Sequence, residues 1–188
     1  MRTVSVPAAF RYAGVAVVFA ICGACSAAYL LTWFPWFPGN PKPMLLPVPF
    51  ALLCALLFLR QWRAVIAVPL MVAVWAVAYP AAKMLGMASP MFLGPGFGGF
   101  IGGGGLVLCA ATCDRRLFSR KYTFRGAVVG FVSALAFAPW ASMGNTDLDG
   151  REPTLVFALS IWQAAVGTYL YKIVRDMNKE ARPDIPSP

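Results

Sequence analysis

Cys22-Gly-Ala-Cys25 is the pair in this chain best spaced for soft-metal or redox chemistry, because two thiolates three residues apart can share an ion or be oxidised together. Both lie inside an apolar run, as does Cys54, and Cys109 and Cys113 close another run. A thiolate in hydrocarbon with no cation beside it is costly, so small apolar packing residues are expected, with Cys22 and Cys25 kept as the candidate metal pair. Asn145-Thr-Asp147-Leu-Asp149-Gly150 opens like a calcium loop. Its twelfth position is Val156 rather than the bidentate Glu such a loop needs, so a polar turn is expected. Gln163 is the one carboxamide inside any apolar run. In lipid its amide must find a partner, which predicts a bond to another helix or, more rarely, to a polar solute.

Glycine is the other informative residue. Gly94, Gly96, Gly98, Gly99 and Gly102–Gly105 crowd one run. Gly98/Gly102 and Gly99/Gly103 have the four-residue spacing that lets helix backbones approach closely. Four consecutive glycines exceed what packing needs, and each costs ~1 kcal/mol relative to Ala in a helix in water. The alternative is a broken helix whose exposed backbone lines a ligand cavity. Gln163, Gly98, Gly99, Gly102 and Gly103 are therefore the candidate ligand-binding residues. Ala16, Ala20, Ala24 and Ala28 form a second small-residue face, expected to pack span one against span four or against a partner protein.

What is missing narrows the chemistry. The sequence has no His, the commonest general base and metal ligand. Its seven acidic residues, Asp114, Asp147, Asp149, Glu152, Asp176, Glu180 and Asp184, all fall outside the apolar runs. Proton-driven carriers place such groups inside the membrane. Hydrolases need paired carboxylates or a Ser–His–Asp set. Neither class fits, no cofactor is implied, and the chain is expected not to be an enzyme.

The elements that hold these residues follow from composition. Of 188 residues, 60% are hydrophobic and 12% charged, against roughly 25% charged in soluble domains. Six stretches carry no Asp, Glu, Lys or Arg: 13–33, 44–59, 64–82, 93–113, 126–143 and 154–171. A helix of about 20 residues crosses a ~30 Å hydrocarbon core. Backbone groups in lipid must be satisfied within the segment, and the runs lack the alternation of barrel strands. The expected fold is an all-α, polytopic membrane bundle of six helices over residues 1–177, with a disordered cytoplasmic tail at 178–188. A cleaved signal peptide ending near Ala24–Ala28 is the competing reading of the first run.

Orientation follows from the basic residues. Arg2 and Arg11, Arg60 and Arg63, Arg115, Arg116, Arg120, Lys121 and Arg125, and Lys172, Arg175, Lys179 and Arg182 fall on one side. Lys42, Lys83 and Arg151 fall on the other. This asymmetry predicts cytoplasmic termini in a bacterial-type inner membrane. Trp33, Trp36, Tyr79 and Trp140 mark the outer interface, and Tyr12, Trp62, Tyr122 and Tyr171 the inner one. The aromatic-proline repeat Trp33-Phe-Pro-Trp-Phe-Pro38 reads as an interfacial anchor or a stacking lid over a ligand. The net charge of +9 is dispersed between apolar runs, which excludes a nucleic-acid patch.

The Cys-x-x-Cys in the first span is similar to that of small mercuric-ion transport membrane proteins. The likeness covers four residues, and those proteins have fewer spans. Small size and a glycine-rich fourth span also resemble the six-span substrate-binding components of vitamin transporters, without a shared ligand-binding signature. Three functions compete. The first is a transport component for a neutral or weakly polar solute, with its site between spans one, four and six. The second is a non-catalytic scaffold or accessory subunit docked on a membrane partner or on a second copy. The third is a thiol protein for metal or redox work.

Overall fold

A computed structural model describes residues 7–33, 47–56, 64–88, 93–137 and 152–180. Among them the chain is helical, with no strand. Six α-helices follow in order: α1 (Ala8–Trp33), α2 (Val48–Cys54), α3 (Ala64–Ala88), α4 (Leu93–Ala111), α5 (Arg120–Ala134) and α6 (Glu152–Glu180). Short 3-10 turns at Arg115–Leu117 and Leu135–Phe137 precede and extend α5. Three helical stretches, Ala8–Ala28, Val65–Ala82 and Leu93–Ala111, are long and apolar enough to cross a membrane.

Prolines mark the helix starts, as a residue without an N–H should. Pro7 accepts the backbone N–H groups of Phe10 and Arg11, opening α1 five residues before the apolar run. Pro49 and Pro95 lie in the first turns of α2 and α4. Pro69 and Pro80 are carried inside α3, which neighbouring helices make tolerable in lipid. The helices overrun the uncharged segments where polar residues still favour helix: α5 begins at Arg120, and α6 continues through Glu180. The stretch expected as a tail from 178 is thus still helix as far as Glu180.

Each helix packs on the next, and α6 returns to α1, so the six close a ring. Neighbours run antiparallel. Tyr12 of α1 meets Tyr171 of α6 at 5.7 Å between ring centroids, while Gly23 of α1 faces Leu159 of α6. The expected pairing of spans one and four does not form: α1 pairs with α6, and α4 with α3 and α5. The reason is topological, since sequence neighbours pair antiparallel around the ring and α1 and α4 fall across it.

Glycine sets the tightest of these contacts. Gly99 and Gly103 of α4 lie against the carbonyls of Gly130 and Gly126 of α5, where a Cβ would collide with backbone. On the adjoining face, a Cβ at Gly98 would lie 2.6 Å from Ala82 Cβ of α3. α4 is one continuous helix, and Gly98, Gly99 and Gly103 lie in its contacts with α3 and α5.

One end of the ring gathers the start of α1, the α4–α5 link and the end of α6. Arg175 stacks over Tyr12, 5.3 Å from the ring centroid. Arg116 Nη1 donates to the Met177 carbonyl at 3.5 Å. Asp114 accepts from the Arg116 backbone N–H and pairs with its guanidinium at 2.6 Å, capping the 3-10 turn.

Candidate functional site

The centre of the ring is aromatic. Phe19 of α1 contacts Phe50 of α2 at 5.2 Å between centroids, Phe50 contacts Trp162 of α6 at 5.8 Å, and Trp75 of α3 meets Trp162 edge-on at 5.5 Å. Gly102 of α4 leaves the space for Trp162, since a Cβ there would sit 3.1 Å from indole Cζ2. Trp162 thus joins α2, α3, α4 and α6 at one point. Tilted and edge-on pairs of this kind add roughly 0.5–1.5 kcal/mol each beyond burial.

Two polar atoms in this region have no partner among the described residues: Trp162 Nε1 and Gln163 Oε1. Both residues are almost fully buried, Trp162 at 3% exposure and Gln163 at 1%. They occupy adjacent stripes of α6. Trp162 follows Leu159 and Val166 toward the centre, while Gln163 falls between Ser160 and Gly167, which face Gly23 and Phe19 of α1. The expected interhelical bond from the Gln163 carbonyl is therefore not made. The α1 residues facing Ser160 and Gly167 on either side of it, Gly23 and Phe19, offer no side-chain donor.

The serines behave differently. Ser26, Ser133 and Ser160 each donate to the carbonyl four residues back, at 2.8, 2.7 and 2.7 Å. A hydroxyl in an apolar helix can satisfy itself this way, whereas an indole N–H or a carboxamide oxygen cannot. A buried polar group without a partner costs about 1–3 kcal/mol. Thr168 Oγ1 and Arg175 Nη1, nearer the other end of α6, are likewise buried without a partner. Trp162 and Gln163 are hence two of four places among the described residues where a hydrogen-bonding guest would recover free energy.

No protein family, curated protein or solved structure matches the chain.

Of the glycines named as ligand-binding, Gly98, Gly99 and Gly103 are occupied by helix contacts, and Gly102 alone faces the aromatic centre. The alanine face of α1 turns only partly inward: Ala16, Ala20 and Ala24 are half-buried and Ala28 is exposed. The buried face of α1 runs instead through Phe19, Gly23, Ser26 and Ala27. In the candidate metal pair, Cys22 is half-buried and Cys25 exposed. None of the five cysteines is in a disulfide, and among the described residues no three His, Cys, Asp or Glu side chains gather as a metal site. The Asn145–Gly150 loop and Phe34–Pro38 lie outside the described residues, as do Arg60 and Arg63.

Composition singled out neither Phe19, Phe50 and Trp75 nor the Gly126-Ala-Val-Val-Gly130 motif of α5. The glycine motif was visible, with the same spacing as Gly99/Gly103. The aromatics carried no local signal, because convergence from four helices is a property of the ring.

Proposed function

We propose that this chain is a six-span protein of a bacterial-type inner membrane, with both termini cytoplasmic, and that it binds a small neutral or weakly polar solute at the aromatic centre of the ring as a non-catalytic transport component. The observation that carries this reading is the unpartnered, buried pair Trp162 Nε1, at the aromatic centre, and Gln163 Oε1, on the adjoining seam toward α1. A donor and an acceptor on adjacent stripes suit a solute with one acceptor and one donor and a flat apolar body. Supporting the span count, ring closure by α6 on α1 returns the C-terminal helix to the basic end where α1 begins. The exposed Arg115, Arg120 and Lys121 lie at that same end.

The test is a thermal-stability screen of the detergent-purified chain against neutral solutes, since a ligand of the folded state raises the melting temperature by mass action. One solute class should stabilise the native chain and lose most of its effect in Trp162→Phe and Gln163→Leu. A stabilising solute that acts equally on both variants would place the site elsewhere.

A second reading, an accessory subunit, draws on the flank of α1 that stays open: Cys25 and Ala28 are exposed beside half-buried Ala24. A partner helix seated there would be lost on enlarging Ala28, with solute stabilisation unchanged.

A further inference from the structure

On the outer face of the bundle, a groove of about 510 Å³ lies between α5 and α6, lined by Val128, Val129 and Val132 of α5, by Ala136 of the 3-10 turn that extends it, and by Ile161 and Ala165 of α6. Ser133 also borders it, but its hydroxyl is turned back onto the Val129 carbonyl, so the wall is apolar. We propose that this groove holds one anionic phospholipid, with an acyl chain between the two helices and its phosphate at Arg125 and Lys172.

The helix stripes make the assignment. On α5, Arg125 lies one turn before Val128 and Val129 on the stripe that continues to Val132 and Ala136, and Lys121 lies one turn earlier. On antiparallel α6, Ile161 and Ala165 continue through Thr168 to Lys172. Both stripes become basic at the same end of the groove. The two helices are held together there, because Tyr169 donates to the Tyr122 carbonyl at 2.9 Å and its ring packs beside Gly126. Arg125, Lys121 and Lys172 are exposed, and among the described residues none pairs with a carboxylate. Asp176, one turn beyond Lys172, makes no ion pair with it.

Ordinary bilayer contact explains an apolar helix face but requires neither the recess nor basic residues converging on its mouth. A phospholipid needs both, and an anionic headgroup is favoured over a zwitterionic one by attraction to each Lys or Arg. A second copy of the chain would fill the groove but bring the same positive charges to its mouth, where they repel. The occupant is therefore lipid.

The experiment is native mass spectrometry of the full chain from mild detergent, titrated with phosphatidylglycerol or phosphatidylcholine of matched acyl chains. Phosphatidylglycerol should bind at least tenfold more tightly. Arg125→Gln and Lys172→Gln should each cut that preference about fivefold and leave phosphatidylcholine unchanged. Val132→Trp, which fills the recess, should remove tight binding of either lipid. Equal affinity for both lipids in the native chain, or an unaltered preference in Arg125→Gln/Lys172→Gln, would overturn the assignment. So would a dimer that Val132→Trp dissociates. Because the two basic residues are exposed, their variants retain the fold, and loss of phosphatidylglycerol binding at high salt in the native chain gives a mutation-free check.

Discussion

Gly99 of α4 and Gly130 of α5 meet backbone to backbone, with the Gly130 carbonyl occupying the space where a side chain at 99 would stand. The same relationship recurs one turn away between Gly103 and Gly126. In lipid, where apolar burial does not drive helices together, this closeness of approach supplies the packing that does.

Gly103→Val should accordingly destabilise the bundle by about 1–3 kcal/mol, the usual cost of forcing atoms into a filled contact. Unfolding of the detergent-solubilised chain by a denaturing detergent measures it. Gly14→Ala is the control, because a Cβ at Gly14 meets nothing within 4 Å. That change should be neutral or stabilise by up to ~1 kcal/mol.

At the ring centre, Trp162→Ala should cost about 3–5 kcal/mol, since it removes a ring that touches Phe50 and Trp75 and leaves a cavity. Gln163→Met should go the other way. It replaces a buried carbonyl with no partner by an apolar chain of similar length, and a gain of about 1 kcal/mol in the ligand-free protein is expected. A destabilised Gln163→Met protein would mean that the amide is satisfied in the native chain.

The link between α4 and α5 should be acid-sensitive. Hydrogen bonding from the Arg116 side chain, aided by its backbone N–H and its charge, holds the Asp114 carboxyl below its ordinary value of 3.8. The unfolded chain therefore binds a proton more readily. The contribution of Asp114 is complete above its ordinary pKa and is lost as pH falls through the lowered folded value. Asp114→Asn should abolish this component of the acid dependence between about pH 5 and 2. At neutral pH its cost should be at most roughly 1 kcal/mol, as for a capping side chain on the surface. Melting curves of both proteins across that range read it.

Cys22→Ser/Cys25→Ser should leave solute stabilisation and oligomeric state unchanged. Cys22 is half-buried and Cys25 exposed, and among the described residues no third His, Cys, Asp or Glu joins them as a metal site. Tight binding of a soft metal ion by the native chain, lost in the double variant, would instead support thiol chemistry.

Helix content was legible in the sequence because absence of charge over about 20 residues is decisive where the solvent is hydrocarbon. Boundaries were less so. Arg11 and Arg120 sit on helix because a basic residue near the interface need not end one. The packing role of Gly99 and Gly103 followed from spacing, but their partner did not, because nothing local to α4 selects α5 over α1. Gln163 was noticed as polar in an apolar run, yet its unpartnered carbonyl depends on what α1 presents opposite. Trp162 carried no signal of its own, since its importance comes from Gly102, Phe50 and Trp75 arriving from three other helices.

The topology rests on basic segments sharing one face of the bilayer, and site-directed labelling in sealed inverted and right-side-out vesicles tests it most directly. On a background lacking the native cysteines, single cysteines replacing Phe118, Asn145 and Ser187 would be probed with a membrane-impermeant maleimide. The account predicts that positions 118 and 187 react from the cytoplasmic side and 145 from the opposite side. Reaction of 118 and 187 from opposite sides, or of 145 from the same side as both, would contradict it.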